Sequence, residues 1–82
     1  MHLEIITPDR KLFEGDVKLV QVPGTKGSFE ILKNHAPIIS TLDSGEIKVQ
    51  HPEGKNEYFE ISSGVIEAKT NNIIILAEVS EQ

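Results

Sequence analysis

Turn-forming residues interrupt this chain roughly every eight to twelve residues, the spacing of short strands in a sandwich or barrel. Thr7-Pro8-Asp9-Arg10 follows Leu3-Glu4-Ile5-Ile6, and Pro23-Gly24 follows the apolar-rich residues 17–22. Asp43-Ser44-Gly45 separates Ile38-Ile39-Ser40-Thr41-Leu42 from Glu46-Ile47-Lys48-Val49-Gln50. Pro52-Glu53-Gly54-Lys55 comes before residues 56–61, and Asn71-Asn72 stands before residues 73–79. Proline presets the backbone angle of a turn's second position, and glycine or asparagine accepts left-handed angles. Pro23-Gly24 therefore fits a type II turn, and Asn71-Asn72 fits a tight hairpin. Between the turns no segment has helical periodicity. Ile and Val make up 17 of 82 residues and Ala only 3, and stiff β-branched side chains favour strands. The expectation is one all-β domain over residues 1–82, an antiparallel, flattened β-sandwich of roughly eight to ten short strands.

Period-two alternation assigns faces. Ile47 and Val49 point inward between polar neighbours, and Phe59 and Ile61 share one face of their strand. Ile73-Ile74-Ile75-Leu76-Ala77 is apolar on both faces, so it is either covered on both sides or turned toward a partner. Ile38-Ile39 and Leu19-Val20 raise the same alternative.

Charge and chemistry exclude much. The formal net charge is -5, which argues against a nucleic-acid surface. The only aromatic residues are Phe13, Phe29, Tyr58 and Phe59; the phenylalanines are expected in the core, which leaves no stacking platform for single strands. There is no cysteine, so disulfides, thiolate metal sites and thiol catalysis are out, and a reducing compartment is expected. The first residues, Met1-His2-Leu3-Glu4, lack a basic start and an apolar run, so no signal peptide is expected. The longest apolar run, residues 73–77, is far below the ~20 residues that span a membrane.

His2, His35 and His51 do not stand at a metal-ligand spacing. His35 reads as a turn or interface residue, and His2 and His51 as exposed. Ser62-Ser63-Gly64 is not a nucleophile elbow. Gly24-Thr25-Lys26-Gly27-Ser28 lacks the order of a phosphate loop, and strand-type residues follow where a helix would begin. No catalytic, cofactor or metal residue and no small-molecule substrate is expected. What remains is a β module that binds other proteins.

Four stretches carry a resemblance: Leu3-Glu4-Ile5-Ile6-Thr7-Pro8, Leu12-Phe13-Glu14-Gly15-Asp16-Val17, Val20-Gln21-Val22-Pro23-Gly24-Thr25-Lys26-Gly27 and Ile31-Leu32-Lys33-Asn34-His35-Ala36-Pro37-Ile38-Ile39-Ser40. In order, and over essentially the whole chain, they closely resemble the epsilon subunit of the F-type ATP synthase. The resemblance implies a non-catalytic, cofactor-free rotor subunit of the central stalk. It would bind the gamma subunit on one side and the polar loops of the membrane c-ring on the other, coupling ion-driven rotation to ATP synthesis. Thr7, His35 and Ser40 match positions facing gamma. Thr25, Lys26, Gly27, Ser28 and Glu30 match the ring-facing loop, although many members have an acid at the place of Ser28 and a glycine at that of Glu30. The implied location is the cytoplasmic face of the bacterial inner membrane, peripheral and without membrane insertion. Typical members continue into a helical hairpin that inhibits ATP hydrolysis; this sequence stops at Gln82, so the expectation is a subunit without that arm. The rival reading is a small β-sandwich protein-binding adaptor with no rotary role.

Overall fold

Alternating burial runs through nearly every strand of the chain. The computed structural model describes residues 1–80; Glu81 and Gln82 lie outside the described residues. It contains nine strands: β1 (His2–Ile6), β2 (Lys11–Asp16), β3 (Leu19–Val22), β4 (Phe29–Leu32), β5 (Ile38–Leu42), β6 (Gly45–Gln50), β7 (Asn56–Ile61), β8 (Ser63–Lys69) and β9 (Asn72–Glu78). They form a five-stranded sheet in the order β2-β1-β9-β8-β5 and a four-stranded sheet in the order β4-β3-β6-β7. The principal extents of 35 × 25 × 19 Å give the flattened shape.

The core lies between the two sheets. Leu3, Ile5, Ile66, Ile73 and Ile75 point into it from one side, and Val20, Val22, Ile47 and Val49 from the other. Each fully buried side chain of this kind contributes about 1.5–3 kcal/mol. Phe13, Phe29 and Phe59 pack on the rim of this core, with Phe13 and Phe59 meeting edge to face at 5.9 Å. No polar or charged residue among those described is buried as a whole.

Pairing is antiparallel with one exception. β1 lies parallel to β9, with Leu3 opposite Ile73 and Ile5 opposite Ile75. The last strand is inserted between the first strand and β8, and that return carries it in the same direction as β1. Two of the tightest turns differ in their agreement with the local signals. β8 and β9 are joined in a tight hairpin through Thr70-Asn71, one residue earlier than Asn71-Asn72, since Asn72 already pairs with Lys69; Asn71 takes the left-handed angle, φ 56°. Pro23-Gly24 does not form a type II turn. The turn lies two residues later, centred on Thr25-Lys26, where the Gly27 N–H donates to the Gly24 carbonyl at 2.9 Å. Gly24 itself bridges Leu42 of the other sheet, so residues 23–25 tie the two layers together at this end.

Candidate functional site

The five-stranded sheet has an uncovered outer face, and its register aligns an apolar row across it. Ile6 of β1 stands opposite Leu76 of β9, Leu76 opposite Val65 of β8, and Val65 opposite Thr41 of β5. Leu76 is 56% exposed and Val65 also faces out. These four residues line an open groove of about 630 Å³, together with Thr7, Pro8, Ser63 and Glu78. One row along, Ile74 and Ile39 also face outward, with Ile39 73% exposed, but Glu67 stands between them and Glu4 beyond Ile74, so acids border the apolar row on this side. The double-sided apolar character of residues 73–77 is thus resolved: Ile73, Ile75 and Ala77 enter the core, while Ile74 and Leu76 face outward. Contiguous apolar surface of this kind on a small domain marks a protein contact.

A second cavity, of about 530 Å³, lies at the end where the sheets are tied. The loop Gly24-Thr25-Lys26-Gly27-Ser28 lines one wall, with Ile38, Ile39, Ser40 and Thr41 of β5 on the other. The Thr25 N–H donates to the Thr41 carbonyl at 3.1 Å, and the two threonine hydroxyls hydrogen-bond at 2.9 Å. Lys26 is exposed and takes part in no ion pair among the described residues.

The residues singled out from sequence fall in four places. Thr7 lines the apolar groove, and its hydroxyl donates to the Arg10 carbonyl at 2.9 Å, closing the β1–β2 turn. Ser40 lines the second cavity, beside Thr25, Lys26, Gly27 and Ser28. His35 lines neither. It sits in the β4–β5 connection after Asn34, which is held at φ 65°, and its Nδ1 contacts the Leu32 carbonyl at 3.1 Å. Its Nε2 is buried without a partner. Glu30 stands on β4 opposite Gln21, outside the loop cavity.

His2 and His51 are not freely exposed. His51 Nε2 meets Glu57 at 2.9 Å, and its ring packs edge-on to Phe13 at 5.6 Å. His2 Nε2 meets Glu14 at 3.2 Å. Glu4 pairs with Glu14 across the β1–β2 ladder, and the ligand atoms of His2, Glu4 and Glu14 lie within 4.8 Å of one another. They are the residues among those described that could hold a metal ion. The Lys11 ammonium occupies the neighbourhood instead, at 2.6 Å from Glu14 and 3.1 Å from Glu4. Its hydrogen bond and charge hold the Glu14 carboxyl below the usual carboxylate range, while Glu14 first and Glu4 second raise Lys11. The single Lys11 charge bridges two cross-strand carboxylates that would otherwise repel, and offsets one of their two negative charges. Only the strand register brings this cluster and the row Ile6–Leu76–Val65–Thr41 together, and a single sequence does not print that register.

Comparison with known proteins places this geometry. The family described as ATP synthase, Delta/Epsilon chain, beta-sandwich domain matches residues 1–82. The ATP synthase epsilon chain of Nitrosococcus oceani is 32% identical over 82 residues, all of this chain and 59% of that one. The epsilon chain of Pelotomaculum thermopropionicum is 40% identical over 81 residues, covering 99% of this chain and 60% of its own length. This chain therefore spans about three fifths of those two relatives. It spans 90% of the epsilon chain of Caulobacter vibrioides, at 37% identity over 78 residues. A chain in the mitochondrial ATP synthase of Euglena gracilis (OSCP/F1/c-ring) has the same fold, with a TM-score of 0.86 at 21% identity over 92% of this chain and 48% of that one. A chain from the central stalk and c-ring of the Tetrahymena thermophila mitochondrial enzyme also matches, with a TM-score of 0.76 at 16% identity, over 95% of this chain and 63% of that one. With the family match over residues 1–82 and relatives at 32–40% identity, the chain belongs to the β-sandwich domain family of the ATP synthase delta and epsilon chains.

Proposed function

We propose that this sandwich is a non-catalytic rotor element of an F-type ATP synthase, joining the gamma subunit to the c-ring so that ion-driven rotation reaches the site of ATP synthesis. The observation that carries the reading is the apolar row Ile6–Leu76–Val65–Thr41 on an uncovered sheet face, in a chain of this family. Gamma docks on that face, with Thr7 at its border, Ser40 in the adjoining loop cavity and His35 holding the β4–β5 connection in shape. The loop of Thr25, Lys26, Gly27 and Ser28, with Glu30 behind it, meets the polar loops of the ring. An adaptor needs one contact surface, whereas a coupling element needs two, and the groove and the loop cavity supply a pair of different character. No helix of the described residues is long and apolar enough to cross a membrane. The reading makes the subunit peripheral, on the cytoplasmic face of a bacterial inner membrane. The sandwich suits the task because close-packed interiors and hydrogen-bonded ladders deform little under load.

The test is co-elution with the cognate gamma subunit by size-exclusion chromatography. The chain forms a one-to-one complex. Leu76→Lys, which places a charge in the middle of the apolar row, weakens it by about tenfold or more, equivalent to about 1.4 kcal/mol, and leaves the thermal unfolding temperature of the free chain in place. Clean separation of chain and gamma at micromolar concentration overturns the reading.

A further inference from the structure

The two sheets leave four edge strands: β2 and β5 on one, β4 and β7 on the other. An unpaired edge is a template for another strand, and natural domains blunt it with charge, brevity or cover. β2 carries Lys11, Glu14 and Asp16, and β7 carries Glu57 and Glu60. β4 is only four residues long and includes Glu30. β5 reads Ile38-Ile39-Ser40-Thr41-Leu42 and has no charged residue. Its Ile39 has the most exposed large apolar side chain among the described residues, at 73%.

The hydrogen bonding of β5 shows which backbone groups are open. The Thr41 carbonyl accepts from the Thr25 N–H, so the backbone groups of Thr41 point away from β8. Opposed residues in an antiparallel pair alternate between bonded and non-bonded, and the two groups of one residue point the same way. Ile39, two residues earlier, therefore turns its N–H and C=O outward, as Thr41 turns its N–H. The loop of residues 24–28 pairs with only the far end of the strand, through Gly24 opposite Leu42 and Thr25 on Thr41, and faces Ile38 to Ser40 across a cavity. On both flanks of the open part lie cavities, one of about 530 Å³ bordered by the loop and one of about 420 Å³ between Pro37, Ile39 and Glu67.

We infer that β5 is a strand-addition site, and that an extended segment of the gamma subunit pairs with it as a sixth strand of the five-stranded sheet. The inference rests on the gamma-binding reading above and deepens it. The occupant is assigned to gamma because the apolar row proposed for gamma runs across the sheet and ends on β5, at Thr41, beside Ile39. One contact thus uses both the face and the edge of the same sheet. Affinity comes from the N–H and C=O of Ile39 and the N–H of Thr41, whose carbonyl is already taken by Thr25, and specificity from the apolar side chain of Ile39, in the general manner of β-strand recognition.

Amide hydrogen exchange read by NMR on the labelled chain, free and in the gamma complex, tests it. The Ile39 and Thr41 amides exchange fast in the free chain and slow by about tenfold or more in the complex. Ile39→Pro removes an outward N–H, which an edge strand tolerates. The variant keeps the amide protection of β1, β8 and β9 and loses at least about tenfold in affinity for gamma. Ile39→Lys, which keeps the N–H but adds an edge-blunting charge, also weakens binding. A gamma complex in which the Ile39 and Thr41 amides stay fast, and to which Ile39→Pro binds like the parent, overturns strand addition while leaving the gamma reading intact. Protection that develops without gamma and rises with chain concentration assigns the edge to a second copy and overturns the inference. Absence of any complex removes the gamma reading and this inference with it.

Discussion

A Cβ added at Gly24 would lie 2.7 Å from the Gly27 carbonyl oxygen and 2.8 Å from Cε1 of Phe29. Both contacts are shorter than real Cβ atoms make, and the first is to backbone. The position is closed by space, and its φ is not left-handed. Gly24→Ala is therefore expected to destabilise the sandwich by roughly 1–3 kcal/mol, as overpacking does. For a domain of this size each kcal/mol lowers the thermal midpoint by about 4–8 °C, so a melting curve reads the effect directly. The sequence pointed to the right residue through the wrong property. Pro-Gly is a turn signal because glycine accepts positive φ, and nothing local announces that Phe29 and residue 27 will crowd the same point from the far side of a turn. Asn71 is the opposite case, since its left-handed angle is a local property and was legible as one.

In β9, neighbouring residues have opposite fates. Ile75 is fully buried among the core side chains, and Leu76, the next residue, is 56% exposed. Ile75→Ala is expected to cost about 2–5 kcal/mol, measured by urea unfolding. Leu76→Ala should change stability by no more than about 0.5 kcal/mol, because its face has no cover in the free chain. Similar losses at both positions would mean that the outer face is packed. Period-two patterning in β6 and β7 put Ile47, Val49, Phe59 and Ile61 inward, but in β9, apolar on both faces, it left open which residues enter the core. It did not tell whether the second face of β9 was covered, because an apolar residue at an interface and one under a second layer look alike in a run of Ile and Leu. The parallel neighbour of β9 was not legible either. That pairing joins residues some seventy positions apart, and the signals used for strands are local.

Across the whole molecule the apolar groove and the loop cavity both reach β5, through Thr41 in each. Ser40, matched by resemblance to the gamma side, and Lys26, matched to the ring side, line the same cavity. The proposed contacts are therefore adjacent zones of one end, separated by the residues 25–28 loop. Lys26 is the exposed cation of that loop in a chain whose net charge is -5. Lys26→Glu is expected to leave co-elution with gamma unchanged and to lower retention on detergent-solubilised c-ring carrying gamma by several-fold, read by pull-down at low and high salt. Loss of gamma binding in this variant would merge the two zones into one interface. The resemblance supplied candidate residues, but that Ser40 and residues 25–28 meet beside β5, while Thr7, His35 and Glu30 lie elsewhere, required the folded chain.

The parallel contact of β1 with β9 has a mechanical consequence. A pull applied to the start of β1 and the end of β9 acts along two neighbouring strands in opposite senses, because the strands run the same way side by side. The ladder between them is then sheared, and its bonds share the tension together; a hairpin pulled from its open end unzips one bond at a time. The element that joins the first and last strands is thus a clamp, placed at the centre of the five-stranded sheet, where stretching forces on the chain converge.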